Sequence, residues 1–393
     1  MIYDLIIIGT GPIALGCITS IPDNLKVAVI THKNDNGYKF DSFGDKTYSE
    51  RYGGGLDSWH SVLSSNLFLE YFPDKLNFYK SFFNFFYPQK NVDNKNFRPE
   101  KIFVPKKRIS TTTLDKLVSQ KRNIELIFDE ILIIDESRNI ILKSKEKKYL
   151  TKKVILAAGA IGTGKILNKS YLANLNAYIG NHINAYGAFN IPVDKDFIQP
   201  KYSKHGHFKN IELGSIKNHD YMSYLRPSLF DFKDPSQLGK FKTIYTRTKK
   251  EIYSTIIKSL SPGLLIEAFY NRYGLWFFAN KANSYVQIEV SDVYQLDENF
   301  NVMVDKSKLN FFINEITKNS KFKDFSLDTL VSGVHFYSTV EKNNNIGNCC
   351  YDSDWDNRIL VADSANIAKI GGAHHTFSTM AMASLAVHEI YKS

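Results

Sequence analysis

Short, mostly apolar runs mark both ends of the chain. Residues 3–8, 26–31 and 153–158 are rich in Ile, Val, Leu and Ala without strict alternation, which predicts strands buried on both faces, as in a parallel sheet. Residues 358–362 repeat the pattern near the carboxyl end. Helical stretches are expected at 12–20, 108–120 and 376–391, the second entered through Ser and Thr residues. Further strands are expected at 125–134 and 139–143. Residues 34–105 follow neither period and read as irregular, with glycines at 53–55 and an aromatic stretch at 82–87. From 180 to 332 the pattern is mixed: 274–279 and 285–290 have strand composition, and 308–317 reads as a helix. Strands alternating with helices at both ends indicate an α/β chain, and 393 residues suffice for two lobes or one elaborated domain.

The first strand runs into Gly9-Thr10-Gly11-Pro12-Ile13-Ala14. In a strand–GxGxxA–helix unit the first glycine permits the tight turn, the second lets the backbone approach a pyrophosphate, and the small third residue lets helix and strand pack. The phosphates then sit on free N–H groups at the positive end of the helix. Pro12 suits the first turn, where its missing N–H leaves nothing unpaired. The acidic residue that usually closes the second strand, for ribose hydroxyls, is absent; Thr31-His32-Lys33-Asn34 stands there, with Asp35 beyond. Either Thr31 or Asp35 substitutes for it, or His32 and Lys33 hold a 2′-phosphate, which would favour NADP.

Charge and cysteine content narrow the setting. The net charge is +10, but the lysines are scattered among asparagines; the nearest to a run, residues 143–153, lies on an expected hairpin. No nucleic-acid-binding signature accompanies it, so no nucleic-acid partner is expected. Three cysteines, Cys17 and the adjacent Cys349 and Cys350, form no disulfide framework and favour a reducing compartment. The chain enters a strand at once, leaving no room for a cleavable leader, and no apolar run approaches the roughly 18 residues that span a bilayer. A cytoplasmic protein without a membrane span is expected. No metal site is expected, because His205-Gly206-His207 has no partners at ligand spacing. The 28 Phe and 23 Tyr fit a broad aromatic cavity and an aromatic core equally well.

Seven segments, in order, resemble the glucose–methanol–choline (GMC) oxidoreductase family, including its pyranose-oxidase-like branch. They are the amino-terminal fingerprint; Gly53-Gly54-Gly55-Leu56-Asp57-Ser58-Trp59-His60; residues 153–167, with Ala157-Ala158-Gly159-Ala160-Ile161-Gly162 at their centre; Ile179-Gly180-Asn181-His182-Ile183-Asn184; Asn283-Ser284-Tyr285-Val286-Gln287-Ile288; His335-Phe336-Tyr337-Ser338-Thr339; and the stretch from Leu360-Val361-Ala362-Asp363 through Ala373-His374-His375-Thr376 to Ala383. The resemblance covers about half the chain and leaves 185–330 largely without signal.

The resemblance implies a Rossmann-type FAD-binding domain formed by residues 1–185 and 340–393, with a second, mainly antiparallel β substrate domain at 186–339. It implies FAD held by Gly9, Gly11, Pro12, Ala14, Thr31, Gly54, Gly55, His60, Ala158, Gly159, Asp363, His375 and Thr376. His335 would be the base on a substrate hydroxyl and His374 would hydrogen-bond the same oxygen, with His375 an alternative to His374. An imidazole titrating near neutrality suits that proton transfer. The helix starting at Thr376 would aim its positive end at the flavin. Trp59-His60 resembles, in exchanged order, a pair through which some members link FAD covalently. The expected activity is oxidation of an alcohol carbon on a small molecule such as a sugar or polyol. An NADP-dependent reductase, a non-redox flavoprotein lyase and a non-catalytic flavin binder remain as alternatives.

Overall fold

The apolar runs pair in parallel and build the sheet that positions everything else. The computed structural model describes residues 1–32, 38–40, 46–49, 52–56, 63, 66–88, 101–105, 109–176, 178–189, 205–216, 219–228, 283–296, 302–303, 314, 331–332, 335–341, 358–367 and 375–392. In chain order the elements are β1 (Ile2–Ile8), α1 (Pro12–Thr19), β2 (Val27–Thr31), β3 (Tyr38–Phe40), β4 (Lys46–Ser49), α2 (Asn66–Tyr71), α3 (Leu76–Phe86), β5 (Lys101–Pro105), α4 (Thr111–Gln120), β6 (Ile124–Phe128), β7 (Ile133–Glu136), β8 (Ile140–Lys143), β9 (Lys148–Leu156) and α5 (Gly159–Lys169). They continue as β10 (Tyr178–Phe189), β11 (His205–Ile216), β12 (His219–Ser228), β13 (Asn283–Leu296), β14 (Val302–Met303), β15 (Val331–Ser332), β16 (Ile359–Val361) and α6 (Thr376–Ile390).

The first sheet has the order β6-β2-β1-β9-β8-β7, with β16 beside the second half of β9. Strands β6, β2, β1, β9 and β16 are parallel, and β7–β8–β9 is an antiparallel meander. Ile8 lies opposite Ile30 and Leu156, and Leu156 opposite Val361, so the carboxyl ends of four parallel strands line up along one edge. Successive side chains feed opposite cores. Ile6, Ile8, Val154 and Leu156 meet the α5 residues Ile161 and Leu167 on one face. Leu5, Ile7 and Ile155 meet α1 and α6 on the other. Each fully buried Ile or Leu contributes about 1.5–3 kcal/mol, so this two-sided burial anchors the edge firmly.

Helix α6 is buried on every side from Phe377 to Val387. It runs backbone to backbone against α1: a Cβ on Gly16 would stand 2.4 Å from the Met380 carbonyl oxygen. Ser384 Oγ adds hydrogen bonds with the hydroxyls of Thr19 (2.9 Å) and Ser20 (2.7 Å).

The stretch expected to be irregular, 34–105, contains β3, β4, α2, α3 and β5. Its helices were hidden because α3 is crowded with aromatics of middling helix propensity; packing rather than propensity holds them. Phe82, Phe83 and Tyr87 are buried, and rings 82, 83 and 86 surround Phe377 at centroid distances of 5.1, 6.2 and 6.1 Å. Phe82, Phe83 and Tyr87 are therefore core, while Asn84 and Phe85 are exposed. The single strand expected at 125–134 is two, β6 and β7, separated by a turn at 129–132.

A second sheet has the order β15-β10-β13-β12-β11-β5, with β14 on β13, and each described pair is antiparallel. The strand expected at 285–290 is the centre of β13. Residues 274–279 lie outside the described residues, as does the helix expected at 308–317 apart from helical Asn314. No described helix is long and apolar enough to cross a membrane.

Candidate active site

Two glycines of the fingerprint have distinct jobs. Gly9 has φ of +111°, and a Cβ there would stand 2.2 Å from the Ala157 carbonyl oxygen, so the fold itself demands glycine. Gly11, the N-cap of α1, has an ordinary φ of −70°, and a Cβ would meet nothing within 4 Å. The open volume beside Gly11, at a helix amino terminus, is where an anion has room. Ala14 is buried beneath the turn and Pro12 opens the helix. The 53–56 turn closes one side, with Gly54 so near that its Cβ would stand 3.3 Å from Gly11 Cα. Neither Gly55 nor Gly159 would have a protein atom within 4 Å of a Cβ.

A hydroxyl chain ties these turns together. Thr10 Oγ1 shares a 2.7 Å hydrogen bond with Thr31 Oγ1 and accepts the Gly53 N–H at 2.9 Å. Beyond Thr31, His32 Nε2 lies 3.9 Å from the Glu130 carboxylate, which comes from the turn after β6. A carboxylate thus reaches the end of β2 from a neighbouring strand, where it disfavours a 2′-phosphate and suits ribose hydroxyls.

At the end of β16, Asp363 is completely buried. Its carboxylate accepts Thr163 Oγ1–H at 2.5 Å, the Ala365 N–H at 3.0 Å, and the Gly159 N–H. Burial raises its pKa to about 6, and the three hydrogen bonds offset part of that rise. The side chain therefore locks the Gly159 turn to the residue 364–366 turn, which it caps.

Among the described residues, three imidazoles form a cluster. His182 on β10, His335 after the 331–332 strand, and His375 at the N-cap of α6 have ring centroids 4.8–5.3 Å apart, with ring planes inclined at 77–90°. One ligand-type nitrogen from each lies within 4.8 Å of the other two. His182 and His375 are buried and His335 is half-buried. Three imidazolium charges at this spacing would repel by about 3 kcal/mol per pair at an effective dielectric near 20.

Its scaffold is rigid. The His335 N–H donates to Asn181 Oδ1 at 2.9 Å, and Gly180 and Tyr337 exchange backbone hydrogen bonds at 2.9 Å. The Ser338 N–H reaches the Ser364 carbonyl, Ser364 Oγ donates to the Phe336 carbonyl, and Thr339 Oγ1 donates to the Ala160 carbonyl. Asn176 Nδ2 braces the carbonyls of Ser338 and Val340, where Ser338 has φ of +58°. The histidine-bearing segment is thus bonded to the turns that follow β9 and β16, at the aligned carboxyl edge of the first sheet.

The residues singled out from the sequence fall into three groups. Gly9, Gly11, Pro12, Ala14, Thr31, Gly54, Gly55, Ala158, Gly159 and Asp363 gather at the carboxyl edge of the parallel strands. His335 and His375 meet in the cluster, and Thr376 begins α6. His60 and His374, with Lys33 and Asp35, lie outside the described residues. The sequence reading missed Thr10, Glu130 and Thr163, and gave His182 no role. His182 sits next to Asn181 in a segment already noted, but 182, 335 and 375 are too far apart for spacing to reveal the cluster.

No protein-family model matches the sequence, and no curated protein matches it. Solved structures do. Pyridoxine 4-oxidase from Mesorbium loti is 8% identical with a TM-score of 0.50, over 100% of this chain and 99% of that one. An FAD-dependent oxidoreductase from Chaetomium thermophilum is 12% identical with a TM-score of 0.50, over 99% of each chain. The chain's mixed α/β fold is similar to that of these proteins.

Proposed function

We propose that the chain is an FAD-dependent oxidoreductase that oxidises an alcohol carbon of a small molecule. The observation that carries this reading is the meeting of a glycine-lined anion cradle and an imidazole cluster along one sheet edge. Open sheets of this kind bind ligands at the carboxyl ends of their strands. FAD fits the residues present: the space beside Gly11, Gly55 and Gly159 is what phosphates and ribityl oxygens would fill. Glu130 beside His32 favours the unphosphorylated ribose of FAD over NADP. Thr31 and Ala158 complete the cradle, and the α6 amino terminus at His375 and Thr376 supplies a positive end for developing negative charge. The full-length likeness to two oxidoreductase folds supports the same assignment.

FAD, when bound, supplies the hydride acceptor. The protein supplies the proton acceptor. His335, half-buried and held through its backbone by Asn181, takes the hydroxyl proton as the carbinol C–H bond breaks. His375, with its ring 4.8 Å from that of His335, hydrogen-bonds the same oxygen, a role for which neighbouring His374 is the alternative. The antiparallel sheet forms the substrate side, since β10 delivers His182 beside them.

The test is anaerobic bleaching of bound flavin by a panel of sugars, polyols and hydroxymethyl-pyridines such as pyridoxine. With a substrate in hand, His335→Ala should retain FAD and fold yet slow flavin reduction about 10²–10⁴-fold, the usual contribution of a general base. Reduction at the wild-type rate would remove His335 from the mechanism.

A further inference from the structure

The geometry points to the His182–His335–His375 cluster as a binding site for one divalent zinc-class ion, with three imidazole ligands and a fourth position open. This inference stands on the histidines alone and does not depend on the flavin assignment. A tetrahedral Zn²⁺ with Zn–N bonds of ~2.0–2.1 Å holds its ligand nitrogens about 3.3 Å apart. Here they already lie within 4.8 Å of one another, so each ring has to move inward by less than about 1 Å to close on the ion. The ring planes, inclined at 77–90° to one another, are not stacked, so one nitrogen of each ring can approach the other two.

Neutral imidazole is a ligand for zinc, copper and nickel without losing a proton, and the three rings have no need to recruit a carboxylate. The ligands come from β10, the 335–340 segment and the α6 N-cap, and the hydrogen bond from the His335 N–H to Asn181 Oδ1 ties the first two together without the ion. Occupancy has a consequence for the proposed activity, and that consequence does rest on the flavin reading. A His335 lone pair committed to a metal is no longer a base, so the ion acts as a reversible brake on alcohol oxidation.

The experiment is a Co²⁺ titration of the purified full-length chain near neutral pH, followed by visible absorption, with Zn²⁺ competing. One ion per chain is expected. Loss of a group that merely hydrogen-bonds a metal ligand costs about 10–100-fold in affinity, so His182→Ala, His335→Ala and His375→Ala should each cost about 100-fold or more. His388→Gln, on the far turn of α6, should change nothing. Wild-type affinity in any of the three alanine variants, or no stoichiometric ion in the wild type, overturns the site. Should a buried variant fail to fold, X-ray absorption of the zinc-loaded wild type replaces it. Three imidazoles per zinc support the site and fewer refute it. Zinc that binds without slowing flavin reduction leaves the metal site standing and removes His335 as base; absence of binding does the reverse.

Discussion

Replacing Gly11 with alanine separates the ligand's demand for glycine from the fold's. The backbone at Gly11, φ −70° and ψ −173°, is ordinary extended geometry, and the new Cβ meets no protein atom within 4 Å. Alanine is a poorer N-cap than glycine, but Gly→Ala also reduces unfolded-chain entropy by about 0.4–1 kcal/mol, so apo stability should stay within about 1 kcal/mol of wild type. The ligand fares differently. A methyl group where a pyrophosphate approaches removes one or two charge-assisted hydrogen bonds, each worth about 1.5–3 kcal/mol. The expected loss is about 1.5–6 kcal/mol, or roughly 10- to 10⁴-fold in FAD affinity. Gly9→Ala is the contrasting variant: its φ of +111° and a Cβ 2.2 Å from the Ala157 oxygen should lower apo stability by several kcal/mol. Thermal unfolding of the apo chain and FAD titration by fluorescence measure the two quantities independently. Wild-type FAD affinity in Gly11→Ala would refute the placement of phosphates at this turn.

Asp363 gives a pH-dependent prediction. Its folded pKa of about 6 exceeds the ordinary carboxylate value of 3.8, so the native state binds the extra proton and this group's contribution to stability falls as pH rises from about 4 to 6. Two units correspond to about 3 kcal/mol, so the stability of Asp363→Asn relative to wild type should rise by about that much between pH 4 and 7, and a flat difference in denaturant titrations would disprove it. A Cβ on Gly180 would stand 1.9 Å from the Tyr337 ring. Gly180→Ala should therefore cost about 2 kcal/mol or more and slow flavin reduction while retaining FAD, whereas a variant as stable and active as wild type would uncouple this contact from the site. Glu130→Gln should weaken ADP binding about tenfold by calorimetry, the loss of one charge-assisted hydrogen bond, and unchanged affinity would return the ribose site to the undescribed residues beyond His32.

Where local chemistry dictates structure, the sequence was legible. The apolar runs of β1, β2, β9 and β16 are buried on both faces, and such strands have no other stable arrangement. The fingerprint turn was readable because Gly9 is forced by sterics. Illegible were features that only tertiary packing creates. The hairpin read at residues 143–153 is not among them, since β8 and the first half of β9 form it. Glu130 could not stand in for the missing acid until β6 was seen to lie beside β2. His182 gains meaning only when β10 turns it toward residues 153 and 193 positions further along the chain.

The assembly of the histidine cluster separates two tasks between two sheets. The nucleotide cradle is built mainly on the parallel sheet: Gly9, Gly11, Thr31, Gly159 and Asp363 follow or close strands β1, β2, β9 and β16, and the 53–56 turn closes one side. The imidazoles do not. Asn181 fixes the backbone of His335, and its neighbour His182 contributes a ring to the same cluster, so one dipeptide of β10 both places the proposed base and crowds it. β10 is paired along its whole length with β13 in the antiparallel sheet, from Tyr178 opposite Gln295 to Phe189 opposite Ser284. Changes on that sheet can therefore alter how His335 meets a substrate without disturbing the turn at Gly11. Thr339 and Ser338 counter this freedom by bonding the His335 segment to Ala160 and Ser364 on the parallel side. His335 is held from both sheets at once. A group proposed to take the proton of one substrate hydroxyl gains from that double restraint, because misplacement by about 1 Å can cost 10²-fold in rate.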